Sequence, residues 1–410
     1  MNFDYFFYIQ AIIFYEIMKD LYYIESVKQF EESTIVLLQY IPKNIRKWEL
    51  ANRDFKWYVR KLVDPKWKEV IREGTYVYAF GNEEYQIANE DLRVSQIRKR
   101  YEELAESLVQ TQRELPQDIF DNISTLYTYH INVGHGNHSL IVFKANNRVH
   151  IWMVDCSDYD FVSHHYYRAN IDDCLKHIKQ KFQLVGPIHI DVVMLTHPHY
   201  DHYSGINYYI YNELIDNHTV VYVNFKYRIA SHNYNNLLSN LNRLRVRIIE
   251  PFSCNSNNNI RILYPDIKTF NIRLSPNNIS SVYNICFDNQ SYFVFPGDLE
   301  QDGWKLMDVT KCFPYMTRTH YYAISHHGSI NGHLRHTVCP YKGKRNNIKD
   351  CLCMHTVPVL MGRDKAFSGI YSSQVLSDFN GRILYSEKDA SNTPCSFLEI
   401  DLISNSRKWY

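Results

Sequence analysis

The sequence predicts a layered α/β domain over residues 127–410, behind a mainly helical module over residues 1–125. Three observations carry this. From Leu126 onward, short apolar runs of strand length alternate with longer amphipathic stretches, the pattern of sheets covered by helices. Before that point, apolar residues recur at three- and four-residue steps. A dense His/Asp cluster directly follows an apolar run, at the strand end where open α/β sheets hold their ligands.

In the first module, Ile12, Ile13, Tyr15, Met18 and Tyr22 keep a helical rhythm. A second helix is expected between Glu83 and Leu115, with Leu92, Ile97, Tyr101, Leu104 and Leu108 on its apolar face and Pro116 ending it. The stretch from Phe6 to Tyr23 is apolar and aromatic, but Gln10, Glu16, Lys19 and Asp20 interrupt it. It reads as a buried amphipathic helix, not as a signal peptide or a membrane span. Residues 43–72 hold ten Lys or Arg against four Asp or Glu, interleaved with Trp48, Phe55, Trp57, Tyr58 and Trp67. Such a segment could contact phosphates and stack bases; the plainer reading is a solvated face with its aromatics in the core.

In the second domain the expected strands are Ser139–Phe143, His150–Val154, Ile188–Leu195, Thr219–Val223, Val246–Ile249, Tyr283–Phe287, Tyr292–Phe295 and Tyr322–Ile324. Helices are expected over Ile171–Phe182 and Tyr234–Leu244. The 410 residues suffice for a sizeable core, and the net charge of +1 gives no global attraction for a polyanion. Nine irregularly spaced cysteines point to reduced thiols and a cytoplasmic protein. Neither a phosphate-binding glycine loop nor a Gly-x-Ser-x-Gly elbow is present.

The chemistry concentrates in Thr196-His197-Pro198-His199-Tyr200-Asp201-His202, after the apolar run Ile190–Leu195. Imidazole and carboxylate together suit zinc, manganese or iron. His197 and His199, two apart on an extended loop, can converge on one ion, and Asp201 and His202 can turn toward a second. Cys339, Cys351, Cys353 and His355 form a looser group without a standard zinc spacing.

The His-x-His-x-Asp-His cluster resembles the hallmark of the metallo-β-lactamase fold superfamily. Four further landmarks follow its order: Val133-Gly134-His135-Gly136-Asn137, Asp155 closing a strand, Pro296-Gly297-Asp298, and Ser325-His326-His327-Gly328-Ser329. The tail, Val359–Arg363 followed by Gly381–Tyr385, resembles the closing strand-helix-strand. The branch it looks closest to contains the metallo-hydrolase domain of DNA-uptake (competence) proteins. The resemblance implies a four-layer αββα sandwich and a hydrolase, most readily of phosphodiester bonds, as a nuclease or phosphodiesterase. It implies two divalent ions, zinc first and manganese second. His197 and His199 would hold one ion; Asp201, His202 and His326 would hold the other; Asp298 would bridge them, and Asp155 would support the loop. Asp201 and Asp298 would act in catalysis by orienting water and taking its proton. Of the histidine pair, His326 is the first choice as ligand and His327 the alternative. His135 replaces a Gln common in relatives and is either substrate-facing or turn-stabilising. The middle histidine of full dinuclear sites has only His218 and His232 as candidates. Two other functions stay open: a nucleic-acid-binding or defence protein with the N-terminal region as recognition module, and a metal-stabilised scaffold. The expected partners are a phosphodiester substrate such as nucleic acid and a protein bound through the N-terminal region.

Overall fold

The computed structural model describes residues 20–30, 33–41, 57–62, 71–80, 84–110, 120–121, 123–225, 231–267, 274–307, 319–333, 337–338, 345–346, 355–364, 366, 369–379 and 381–410. Two compact units emerge: residues 1–106 with 228–239, and residues 107–227 with 240–410.

The first unit corrects the helical expectation. It is built on an antiparallel five-stranded sheet, in the order β3-β2-β1-β4-β5. Its strands are β1 (Leu21–Phe30), β2 (Ser33–Ile41), β3 (Trp57–Leu62), β4 (Tyr76–Phe80) and β5 (Glu84–Ile87). The reason is local chemistry. These runs are rich in aromatic and β-branched residues, whose stiff side chains suit a pleated surface better than a helix. Tyr22 and Ile24 of β1 bury with Val36 and Leu38 of β2 and Val77 of β4, a period of two. The helical rhythm read through Ile12–Met18 lies outside the described residues, as does most of the basic segment 43–72. Helix α1 (Leu92–Gln110) is where a helix was expected, and it buries Val94, Ile97, Tyr101 and Leu108. Leu92, expected on its apolar face, is exposed. Ser231 donates to the buried Glu25 carboxylate at 3.3 Å, tying the later segment to β1.

The second unit begins with a meander of β6 (Thr125–Ile131), β7 (His138–Ala145) and β8 (Arg148–Cys156). A small hairpin follows, β9 (Tyr159–Asp160) with β10 (His165–Tyr166), and then helix α2 (Arg168–Lys181). Next come β11 (Val192–Met194), helices α3 (Tyr200–Tyr203) and α4 (Ile206–Tyr211), β12 (Val220–Tyr222) and β13 (Arg247–Ile249), with helix α5 (His232–Arg243) between the last two in sequence and assigned to the first unit up to Ser239. The remaining elements are β14 (Ile260–Tyr264), β15 (Val282–Phe287), β16 (Gln290–Phe295), α6 (Gln301–Leu306), β17 (His320–Ala323), β18 (Thr337–Val338), β19 (Arg345–Asn346), β20 (Thr356–Leu360), α7 (Ser373–Asp378), β21 (Leu384–Tyr385), β22 (Phe397–Asp401) and β23 (Arg407–Trp409).

Apart from the pairs β9-β10 and β18-β19, these strands make two mixed sheets, one of eight strands (β13-β12-β11-β8-β7-β6-β22-β23) and one of six (β14-β15-β16-β17-β20-β21). Strands β8, β11, β12 and β13 run parallel, so the loops after β8 and β11 emerge at one edge. In the second sheet β16, β17, β20 and β21 run parallel and present their loops likewise. One core lies between the sheets: Phe143, Trp152 and Met194 from the first meet Ile285, Phe287, Phe293 and Tyr321 from the second. The rings of Trp152 and Phe287 stack at 5.7 Å. Alternation places Val294, Tyr322 and Leu360 on the outer face of the second sheet, under Trp304 of α6 and Val375 of α7. Helix α2 buries Ile171, Cys174, Leu175 and Ile178, and its His177 ring meets Tyr129 and Phe397 on the outer face of the first sheet. The unit is therefore a four-layer αββα sandwich, as expected. Among the described residues no helix is long and apolar enough to cross a membrane.

Candidate metal centre

The site grows from the ends of the parallel strands. Register pairs Met194 with Val154, which brings the residues after β11 beside Asp155. Asp155 sits in the left-handed region at φ 52°. Its carboxylate accepts from the Thr196 amide at 2.8 Å, from Thr196 Oγ1 at 2.8 and 2.9 Å, and from His202 Nδ1 at 2.8 Å. The loop 196–199 is thereby pinned, and His202 is oriented with Nε2 turned inward, the arrangement by which a supporting carboxylate fixes a metal-binding imidazole.

The second sheet supplies the opposing wall. After β16 the chain turns through Gly297 at φ 56°. A Cβ there would stand 2.3 Å from Ser280 Oγ and 2.5 Å from Thr196 Oγ1, so only glycine fits. Asp298 follows, fully buried. His202 Nε2 lies 3.2 Å from Asp298 Oδ1, and His197 Nε2 lies 4.0 Å from Oδ2. After β17, His326 and His327 both adopt left-handed backbone, at φ 51° and 48°. Two successive left-handed residues without glycine cost about 1–2 kcal/mol each. Ser325 Oγ donates to the Gly297 and Leu299 carbonyls, and the His326 amide donates to Gly297, which hold the turn.

Two groups of ligand atoms result, each within 4.8 Å of one another: His197, His199 and Asp298, and Asp201, His202, Asp298 and His327. His327 Nδ1 donates to the Met361 carbonyl at 3.3 Å, leaving Nε2 bare at 3.5 Å from Asp201 Oδ2 and 3.6 Å from Asp298 Oδ2. His326 lies differently. Its Nε2 is 3.7 Å from Asp298 Oδ2, but its Nδ1 turns to Glu300 Oε1 at 3.2 Å. The geometry thus sets His327, the alternative, within the second group and His326 beside it.

The electrostatics suit a cation. Burial alone would raise the carboxyls of Asp201 and Asp298, yet the facing imidazoles hold both well below the usual carboxylate range: His135 and His327 for Asp201, His327 and His202 for Asp298. Burial first, then His202 and His199, depress His197 and keep its ring neutral, the form that ligates. Both Asp298 oxygens and the Nε2 atoms of His202 and His327 are buried without a hydrogen bond. Buried polar atoms are normally paired. Four unbonded ones converging on one point fit a divalent cation, with the imidazole-carboxylate set that zinc or manganese takes.

His135 stands inside the site. It is fully buried, its Nε2 is 3.3 Å from Asp201 Oδ2, and its ring lies 4.4 Å from that of His327. The turn that carries it also caps Asp201, since the Asn137 amide donates to the Asp201 carbonyl at 3.0 Å. His218 is exposed in the turn before β12, at the opposite strand end. His232 begins α5, and its side chain lies outside the described residues, as do Cys339, Cys351 and Cys353. Cys156, Cys174, Cys254, Cys286 and Cys395 are free thiols.

Sequence reasoning missed the residues around Ser280. The Ser281 amide donates to the Thr196 carbonyl at 2.7 Å, and Ser280 Oγ accepts from the Asp298 amide at 3.2 Å. Asn277 Nδ2 donates to Glu300 at 3.1 Å. The available signal was Asn277-Asn278-Ile279-Ser280-Ser281, a polar turn directly before an apolar strand.

The layer order and the position of the His/Asp cluster agree with what the sequence resemblance implies. No family model matches the sequence, and no curated protein matches it. Among solved structures, the chain is similar to the metallo-β-lactamase fold protein YhfI from Bacillus subtilis, at 10% identity and TM-score 0.35, over 63% of this chain and 96% of that one. It is also similar to a diphosphatase from the PhnP family, at 10% identity and TM-score 0.32, over 67% and 98%. At such values neither likeness bears on activity.

Proposed function

We propose that the protein is a metal-dependent hydrolase of phosphodiester bonds. The observation that carries the reading is the sharing of Asp298 between two groups of buried ligand atoms, one with His197 and His199, the other with Asp201, His202 and His327. Two divalent ions, zinc or manganese, would be held there. Bound, they would supply a lowered pKa for water and polarisation of the scissile group. The first group offers three protein donors, so an ion held there would exchange more readily.

The chain's own residues supply the rest. Asp298 balances charge between the two positions, and Asp201, steered by His135, orients water and takes its proton. His326, with Nδ1 3.2 Å from Glu300 Oε1, presents Nε2 at the rim of the cluster, where it delivers a proton to the departing oxygen. The preference for phosphodiesters over lactams or thioesters is supported by the His-His-Gly-Ser landmark, which resembles the signature of the competence-protein branch. The test is turnover by zinc- and manganese-loaded protein over single-stranded and duplex nucleic acids, cyclic nucleotides, bis(p-nitrophenyl) phosphate, a β-lactam and a thioester. Chelator-sensitive cleavage confined to the phosphodiesters is expected. Turnover of only the lactam or thioester, or of nothing, sinks the proposal.

A further inference from the structure

We infer that Arg363 is the anion-binding residue of this site, holding a phosphate oxygen of the substrate, and that Asp160 is its positioning residue. The inference rests on the phosphodiesterase reading for its substrate class and on independent geometry for its place.

After β20 the chain passes directly against His327. The Met361 carbonyl accepts from His327 Nδ1, and a Cβ on Gly362 would stand 3.0 Å from that nitrogen. Arg363 comes next, so its backbone is fixed at the edge of the cluster. Its guanidinium reaches Asp160 on β9, with Nη1 3.1 Å from Oδ2. Asp160 itself borders the opening turn, since a Cβ on Gly134 would lie 2.7 Å from Asp160 Oδ2. Gly134 immediately precedes His135, whose Nε2 meets Asp201 at 3.3 Å. Arg363 therefore spans from the residue beside one candidate ligand to the turn that contacts another.

Neutral donors already occupy both oxygens of Asp160, and Arg363 adds the charge partner. The fully buried carboxylate accepts from the Val162 amide at 2.8 Å, from Ser163 Oγ at 2.9 Å and from the Ser163 amide at 3.4 Å. The guanidinium has five N–H donors in a planar fork, and the contact with Asp160 uses one edge. The Arg363 side chain is 34% exposed. That leaves a partly exposed guanidinium, carried by the chain that packs on His327, and arginine takes a phosphate through two parallel hydrogen bonds. The phosphate bound there is either the scissile group or its neighbour along an oligonucleotide.

The experiment is calorimetric titration of the metal-loaded wild type, Arg363→Ala and Arg363→Lys with inorganic phosphate, with metal content measured on each sample. Loss of Arg363 should weaken phosphate at least tenfold at unchanged metal content, with Arg363→Lys in between. A Kd within twofold of wild type in Arg363→Ala overturns the inference. If Arg363→Ala loses metal, Arg363→Gln, which keeps a donor for Asp160 without the charge, is judged by the same criterion. Kinetics with bis(p-nitrophenyl) phosphate and with a short oligonucleotide separate the two phosphates. A raised KM on both substrates marks the scissile group, a raised KM on the oligonucleotide alone marks its neighbour, and unchanged KM on both counts against the inference. A protein that binds phosphate through Arg363 but cleaves no phosphodiester sinks the hydrolase reading and leaves the anion site standing.

Discussion

His326 and His327 are adjacent, chemically identical and both next to Asp298, yet their second ring nitrogens separate them. His327 gives Nδ1 to a backbone carbonyl, whereas His326 Nδ1 makes no hydrogen bond and stands 3.2 Å from Glu300 Oε1. The first arrangement turns the Nε2 lone pair into the cluster; the second leaves the ring beside two carboxylates at its rim. His327→Ala should therefore lose one equivalent of metal by elemental analysis. His326→Ala should keep the wild-type metal content while kcat falls about 10²–10⁴-fold, the usual range for a lost general acid. The reverse pattern would restore His326 as the ligand. Asp298→Asn should empty both positions. A second residue-scale outcome concerns His130, buried between Ser139 Oγ at 2.9 Å and Thr128 Oγ1 at 3.2 Å. Burial pushes its pKa down to about 3, and that of His138 to about 4, where burial outweighs a hydrogen bond to the Ser157 carbonyl. Unfolded, each titrates near 6.5. Between those values the unfolded chain binds more protons, so stability present at neutral pH is lost as pH falls from about 6.5 toward 3. Urea midpoints measured from pH 7.5 to 4.5 should fall, and more shallowly in His130→Phe.

At the level of elements, what the two sheets share is Trp152, fully buried and stacked on Phe287 across the layers. Trp152→Ala should destabilise the second unit by about 3–5 kcal/mol, read as a lower urea midpoint with the folded far-UV signal retained. A loss under 1 kcal/mol would mean that the layers do not depend on this contact. The strands of this core were legible because each is a run of β-branched and aromatic residues bounded by polar turns, as in Tyr292–Phe295 before Pro296-Gly297. Strands β6, β14 and β22 were not anticipated. In β6, Thr125, Thr128 and His130 break the apolar run, although Thr128 and His130 are buried. In the N-terminal unit the helical reading gave way over Leu21–Ile41, where runs such as Tyr22-Tyr23-Ile24 suit a pleated surface. The motif residues were legible through their spacing. Glu300, Ser280 and Arg363 were not, since their roles depend on which loops the fold brings together.

Across the whole molecule, the candidate ligands come from loops of both sheets, from His197 to His327 in sequence. Metal binding should therefore stabilise the fold as a unit. At a free ion concentration one hundred times Kd, mass action adds about 2.7 kcal/mol, visible as a Tm that rises with added zinc or manganese. Asp298→Asn should flatten that dependence, and an equal rise in both proteins would place the ion elsewhere. The first unit has a different consequence. It draws residues 228–239 from beyond the motif loop, with Ser231 on Glu25. During synthesis the N-terminal sheet emerges long before that segment. It must wait for its last piece while the meander and the His/Asp loop leave the ribosome in between. A chain stalled or truncated before residue 228 would carry the first unit unfinished. Cleavage near residue 120 would release a fragment without residues 228–239, for the first unit is completed only after the motif loop has been made.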